Sequence, residues 1–240
     1  MAHDFTVLDS ELLLESPILA LRRDTLAMPG QTTATREIVD HFGAAAIVAL
    51  DEKGRIALVH QYRHCARERL WELPAGILDT VGEDEFDTAR RELQEEAGLV
   101  AEDWVVLLDL ITSPGFCEEA VRVYLARGLR EVERPAAEGE EADMTMEWVD
   151  LAEAKDRIFR GEIVNSIAIA GIMAAAEVLA GRAQPRPVSA PFAHRPTSLP
   201  ERRQAAGIGP DMKKLRARPG TSRPPGSTTW RWSVVCPTTP

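Results

Sequence analysis

The reading of this chain turns on one stretch, Gly76-Ile77-Leu78-Asp79-Thr80-Val81-Gly82-Glu83-Asp84-Glu85-Phe86-Asp87-Thr88-Ala89-Arg90-Arg91-Glu92-Leu93-Gln94-Glu95-Glu96-Ala97-Gly98-Leu99. At about 100° per residue, Phe86, Ala89, Leu93 and Ala97 fall on one stripe, the pattern of an amphipathic helix laid on a core. Glu92, Glu95 and Glu96 share the opposite face. Asp84, Glu85 and Asp87 lie in the first turn, where the helix dipole favours negative charge. Gly98 follows the last periodic residue and is suited to the left-handed conformation that ends helices.

Clustered carboxylates on a helix repel one another, and an acidic face beside Arg91 reads by default as a solvated surface. The flanking Gly76, Glu83 and Gly98 change that reading. With them the stretch resembles a Nudix box, the glycine-to-glutamate signature of enzymes that hydrolyse a nucleoside diphosphate linked to another group. At roughly one chance in ten per specified position, seven such matches arise by chance in about one window in ten million. Hard carboxylate oxygens on a rigid helix suit Mg²⁺, with Mn²⁺ the alternative. The match departs at one point: six residues, not five, separate Gly76 from Glu83, so the loop before the helix is one residue longer.

Further matches extend the resemblance over roughly residues 5 to 200. Gln61-Tyr62-Arg63 and Leu70-Trp71-Glu72-Leu73-Pro74-Ala75-Gly76 precede the box, and Pro114 lies 15 residues after Leu99. Together with Thr35-Arg36-Glu37-Ile38-Val39 and Asn165-Ser166, these are similar to the ADP-ribose pyrophosphatase group of the family. The resemblance implies an α/β fold, the Nudix α/β/α sandwich with a mixed sheet. It also implies hydrolysis of ADP-ribose to AMP and ribose 5-phosphate with two or more divalent ions. Two rivals stand beside that reading: a Nudix pyrophosphatase for another nucleoside diphosphate sugar, and a non-catalytic module that senses ADP-ribose.

Carried over residue by residue, the resemblance makes Glu92 and Glu96 the principal metal ligands, Glu95 an assisting one and the Ala75 carbonyl a further one. Arg91 would orient the glutamates through charge-assisted hydrogen bonds. Arg36, Arg63, Glu72 and Pro114 match substrate-binding positions, although exposed arginines often only form surface ion pairs. The acidic run Glu138-Gly139-Glu140-Glu141-Ala142-Asp143 matches the loop that supplies the catalytic base, with Glu141 the choice and Glu140 the runner-up. Trp71 and Phe116 are open between stacking on adenine and packing in the core.

Along the chain, strand-like runs occupy residues 5–13, 18–28, 35–39, 44–50, 56–62, 105–111, 121–125 and 147–149, with helices at 151–160 and 166–180. Asn165 or Ser166 is the expected N-cap of the last helix. Three regions follow from this: an N-terminal strand segment over 1–40, a Nudix hydrolase domain over 41–182, and a Pro/Arg-rich tail over 183–240 that is largely disordered by composition, at least after about Glu201. The N-terminal strands resemble the segment through which the group forms homodimers by exchanging strands.

Charge divides the chain. Residues 1–181 carry 17 Lys and Arg against 36 Asp and Glu, while 182–240 carry 11 against two. A body so acidic is not expected to bind nucleic acid through a general field. The apolar stretch 163–179 contains Asn165, Ser166 and Glu177 and suits a buried helix better than a membrane span. Three cysteines without metal or redox spacing, and a start lacking a basic-then-apolar leader pattern, point to a reducing cytoplasmic compartment.

Overall fold

The computed structural model describes residues 3–80, 83–135 and 143–205. The chain opens with a meander, β1 (Val7–Glu15), β2 (Leu19–Met28) and β3 (Thr32–His41), which forms its own antiparallel three-stranded sheet. β4 (Ala44–Ala49) and β5 (Arg55–Arg63) follow, then β6 (Glu68–Glu72), β7 (Ala75–Ile77) and the box helix α1 (Glu85–Ala97). Two long strands, β8 (Leu99–Ile111) and β9 (Ala120–Glu131), precede β10 (Thr145–Asp150), α2 (Leu151–Phe159) and α3 (Ser166–Leu179). The short β11 (Arg186–Pro187) and α4 (Ser198–Ala205) complete the described chain.

The central sheet has the order β11-β8-β9-β4-β7 and is mixed, because β4 runs parallel to β9 and antiparallel to β7. Every residue of β4 is buried, which its unbroken Ala-Ala-Ala-Ile-Val-Ala run requires of a strand covered on both faces. Ala45, Ile47 and Ala49 meet Ala89 and Leu93 of α1 on one side. Ala46 and Val48 meet Ile172 and Ala175 of α3 on the other, where Ile56 and Leu58 of β5 and Val149 of β10 join them. The expected sandwich is therefore present, and its second face is shared between helices and a smaller sheet ordered β10-β5-β6.

Helix ends follow their sequence signals. The Asp84 side chain caps α1 by accepting from the backbone N–H groups of Phe86 at 2.9 Å and Asp87 at 2.8 Å. Gly98 ends the helix at φ 65°, and its N–H reaches the Gln94 carbonyl. Asn165 is the N-cap of α3, accepting from Ala168 N–H at 2.9 Å. α3 crosses the sheet closely at Gly171, where a Cβ would meet Leu73, Val123 and Val48 at 2.7 to 3.2 Å. Among the described residues no helix is long and apolar enough to cross a membrane.

One expectation needs correction. Composition places residues 183–240 in a largely disordered tail, at least after about Glu201, yet the segment up to Ala205 is packed on the domain. β11 pairs with β8, Phe192 and Leu199 are buried, and Arg186, Arg195, Arg202 and Arg203 form ion pairs with Asp109, Glu85, Asp40 and Glu15. The physical reason is that distant carboxylates on the acidic body, together with core sites for Phe192 and Leu199, hold a segment with little periodicity of its own. Residues 206–240, the remainder of that tail, lie outside the described residues.

Candidate active site

The acidic face of α1 is organised by one guanidinium. Arg91 donates from Nη1 to Glu92 at 2.5 Å and to Glu95 at 3.1 Å, and from Nη2 to Glu83 at 3.0 Å. Thr88 adds a hydroxyl hydrogen bond to Glu83 at 3.0 Å. Burial alone would raise the Glu83 carboxyl, but the hydrogen bonds and charge of Arg91 outweigh it and hold that carboxyl below its usual range. In return, these carboxylates raise the pKa of Arg91 despite its burial. Three of the glutamates, Glu83, Glu92 and Glu95, are thus gathered by Arg91.

Glu96, the fourth, is buried and accepts from the Ala75 backbone N–H at 2.9 Å. Ala75 sits in β7, opposite Ala46 in the central sheet, so the backbone beside α1 is fixed by the core. The neighbouring Gly76 explains itself. A Cβ at that position would overlap the Glu92 carboxyl carbon, its Oε1 and Cγ, so glycine leaves the Glu92 carboxylate where it stands and any larger residue displaces it.

The expected substrate residues are distributed unevenly. Arg63 and Glu72 pair with each other, through Nε at 2.9 Å and Nη2 at 2.7 Å, and Gln61 adds a third hydrogen bond to Glu72. Arg36 lies exposed on β3 and donates to the Thr35 carbonyl; among the described residues no hydrogen bond or ion pair joins it to the box. The loop holding Pro114 is tied to the same strand by Val39 N–H to Phe116 O at 2.7 Å and Glu118 N–H to Val39 O at 3.1 Å. Trp71 stacks on His60 with ring centroids 4.3 Å apart and packs against the α3-side core, whereas Phe116 is 60% exposed. The Cys117 thiol is pushed up by burial, which leaves it a poor nucleophile at neutral pH.

Glu140 and Glu141 lie outside the described residues. The chain on either side of them is anchored close to the box. Before them, Val132 N–H bonds to the Gly98 carbonyl at 2.8 Å and Arg134 donates to the Glu95 carbonyl at 2.8 Å. After them, Asp143 is ion-paired with Arg69 of β6. The sequence reading missed Arg69 and Arg134, since neither bears a local motif and each acts on a residue far away in the chain.

Among the described residues no three His, Cys, Asp or Glu side chains converge as a closed metal cage. The donor set nevertheless fits a hard divalent cation. The carboxylates of Glu83, Glu92 and Glu95 gather on Arg91, Glu96 is held at the Ala75 N–H, and the missing Cβ of Gly76 makes room for the Glu92 carboxylate, an oxygen-rich set of the kind such an ion prefers.

Comparison with known proteins agrees with this geometry. The NUDIX domain family model matches residues 40–167. The ADP-ribose pyrophosphatase of Mycobacterium tuberculosis is 59% identical over 201 residues, covering 84% of this chain and 97% of the relative. The ADP-ribose pyrophosphatase of Bacillus subtilis is 32% identical over 156 residues, covering 65% and 84%. A crystal structure of an ADP compounds hydrolase superposes with a TM-score of 0.66 at 19% identity, covering 76% of this chain and 99% of the other, a likeness of fold.

Proposed function

The chain belongs to the NUDIX family, and on that premise we propose that it hydrolyses the pyrophosphate bond of ADP-ribose to AMP and ribose 5-phosphate, using divalent metal ions. The observation that carries the proposal is the gathering of Glu83, Glu92 and Glu95 around Arg91, with Glu96 held at Ala75 beside them. The high identity over nearly the whole length of the mycobacterial ADP-ribose pyrophosphatase supports the choice of substrate.

Glu92, Glu95, Glu96 and the Ala75 carbonyl would hold the metal, Mg²⁺ or Mn²⁺ in two or more copies. When bound, the ions neutralise the pyrophosphate and acidify a water molecule. This chain's own groups do the rest. Arg91 orients the glutamates, while Arg36, Arg63 and Glu72, with the loop at Pro114, bind the nucleotide and its phosphates. Glu141, with Glu140 as the alternative, accepts the proton of the attacking water as general base. The anchoring of residues 132–134 on the end of α1 and of Asp143 on β6 favours this loop for the role.

The remaining expectations are proposals of the same kind. A homodimer through the N-terminal sheet is supported by β1, exposed along its whole length and carrying Leu8, Leu12 and Leu14. A monomer mass by light scattering at micromolar concentration contradicts it. The free Cys65 and Cys117 support a reducing cytoplasmic location, which fractionation of the source cells would check.

A substrate panel tests the function. With Mg²⁺, AMP release is expected to be fastest from ADP-ribose among ADP-ribose, ADP-glucose, GDP-mannose and NADH. Saturable ADP-ribose binding without AMP release would favour the sensing module instead. In Glu141→Gln, kcat is expected to drop by roughly 10² to 10⁴ with metal affinity unchanged; turnover like the wild type removes Glu141 from the mechanism.

A further inference from the structure

The loop that enters α1 ends at Glu83, one residue later than the family pattern places it, and a residue from the far C-terminal segment grips it there. Arg195 donates through Nη1 to the Glu85 carboxylate at 2.9 Å and through Nη2 to the Glu83 carbonyl at 3.3 Å. The other oxygen of Glu85 accepts from Arg122 Nη1 at 3.2 Å. One carboxylate in the first turn of α1 is therefore clasped between two guanidinium groups.

Arg122 is a firm base for that clasp. It is fully buried, chelates Asp109 at 2.7 and 3.0 Å, donates to the carbonyls of Ala190 at 2.6 Å and Pro191 at 2.8 Å, and lies 4.6 Å from the centre of the Phe192 ring. Burying a cation so completely is tolerated only when its donors are satisfied, and here five hydrogen bonds satisfy them. Residues 190–192 are thereby pinned to the sheet, and a turn from the Phe192 carbonyl to Arg195 N–H at 3.1 Å presents Arg195 to the box.

From Glu83 the connection continues to the acidic face. The backbone of Glu83 is held by Arg195, its side chain by Arg91, and Arg91 holds Glu92 and Glu95. We propose that Arg195 is a positioning residue for the metal-binding carboxylates: it fixes the end of the lengthened loop, so that Glu83 can set Arg91 and the glutamates of α1. The proposal rests on the metal role assigned above to Glu92, Glu95 and Glu96.

A merely structural role for Arg195 would lower stability and leave metal affinity alone, so the deciding measurement is direct Mn²⁺ binding to the full chain by calorimetry, without substrate. Arg195→Gln is expected to weaken Mn²⁺ binding by roughly three- to tenfold, below the usual effect of a residue that touches a ligand directly. Arg195→Lys, which keeps the charge beside Glu85 but lacks the fork that also reaches Glu83, is expected to recover part of the affinity. Arg202→Gln removes a similar ion pair of the same segment, with Asp40 on β3, and is expected to bind Mn²⁺ like the wild type. Unchanged affinity in Arg195→Gln, or an equal loss in Arg202→Gln, overturns the proposal. If the wild-type chain binds Mn²⁺ but releases no AMP from ADP-ribose, the substrate assignment fails while the positioning role stands or falls on the titration.

Discussion

Gly76 has no side chain because Glu92 occupies the space one would need. Gly76→Ala is therefore expected to fold, since β7 lies at the edge of its sheet, but to displace the Glu92 carboxylate. A misplacement of about an ångström in a catalytic constellation costs on the order of a hundredfold in rate. AMP release under saturating Mg²⁺ checks this, and a variant within a factor of two of wild type would show that Glu92 accommodates the methyl group. At this scale the box was legible in the sequence, because the identity of each residue carries its chemistry. Arg69, Arg122, Arg134 and Arg195 were not. Arg69, Arg134 and Arg195 bond partners 39 to 112 residues away, and Arg122 bonds partners 13 to 69 residues away across the sheet; no local spacing marks an arginine that bonds at such range.

Elements were legible where burial writes a period into the sequence. α1 declares its stripe and its Gly98 stop, while Asp84, which the sequence places in the first turn, stands just before it as the N-cap. Removing the cap in Asp84→Ala is expected to cost about 1 kcal/mol. That corresponds to a fall in Tm of roughly 2–4 °C for a chain of this size, measured by calorimetry. A Tm unchanged within error would mean that water serves the freed N–H groups of Phe86 and Asp87 equally well. By contrast, β6 and β7 were not expected, being five and three residues long and separated by Leu73-Pro74. β8 begins at Leu99 rather than near 105, and β9 continues to Glu131, because their outer ends pair with each other. There Asp103 and Arg127 form an ion pair across the strands, and charged residues of this kind interrupt the apolar pattern by which Leu99, Ala101, Trp104 and Leu129 meet the core.

The whole molecule is an acidic body closed by its own basic C-terminal segment. Composition separates the two in charge; what orders residues 186–205 is attraction to distant carboxylates together with burial of Phe192 and Leu199, neither of which a local pattern announces. Asp109 is central to that closure, bonded by both Arg122 and Arg186. Burial would raise its carboxyl, but the two arginines hold it below the usual range. A carboxyl depressed in the folded state contributes stability in full above its unfolded pKa of about 3.9 and loses it as pH falls through the lower, folded value. Tm is therefore expected to decline below about pH 4 more steeply in the wild type than in Asp109→Asn, compared against their own values at pH 7. Parallel declines would mean that other carboxylates dominate acid unfolding.

The central claim is that the glutamates of α1 hold the metal with which ADP-ribose is cleaved. The most direct measurement is Mg²⁺-dependent AMP release from ADP-ribose by the wild-type chain and by the double variant Glu92→Gln/Glu96→Gln, with folding of both verified by circular dichroism. The wild type is expected to release AMP only when a divalent ion is added. The double variant is expected to lose at least about a hundredfold of that rate, as the loss of two direct ligands implies. AMP release by the double variant at the wild-type rate, or a wild type indifferent to chelation of the metal, would contradict the account.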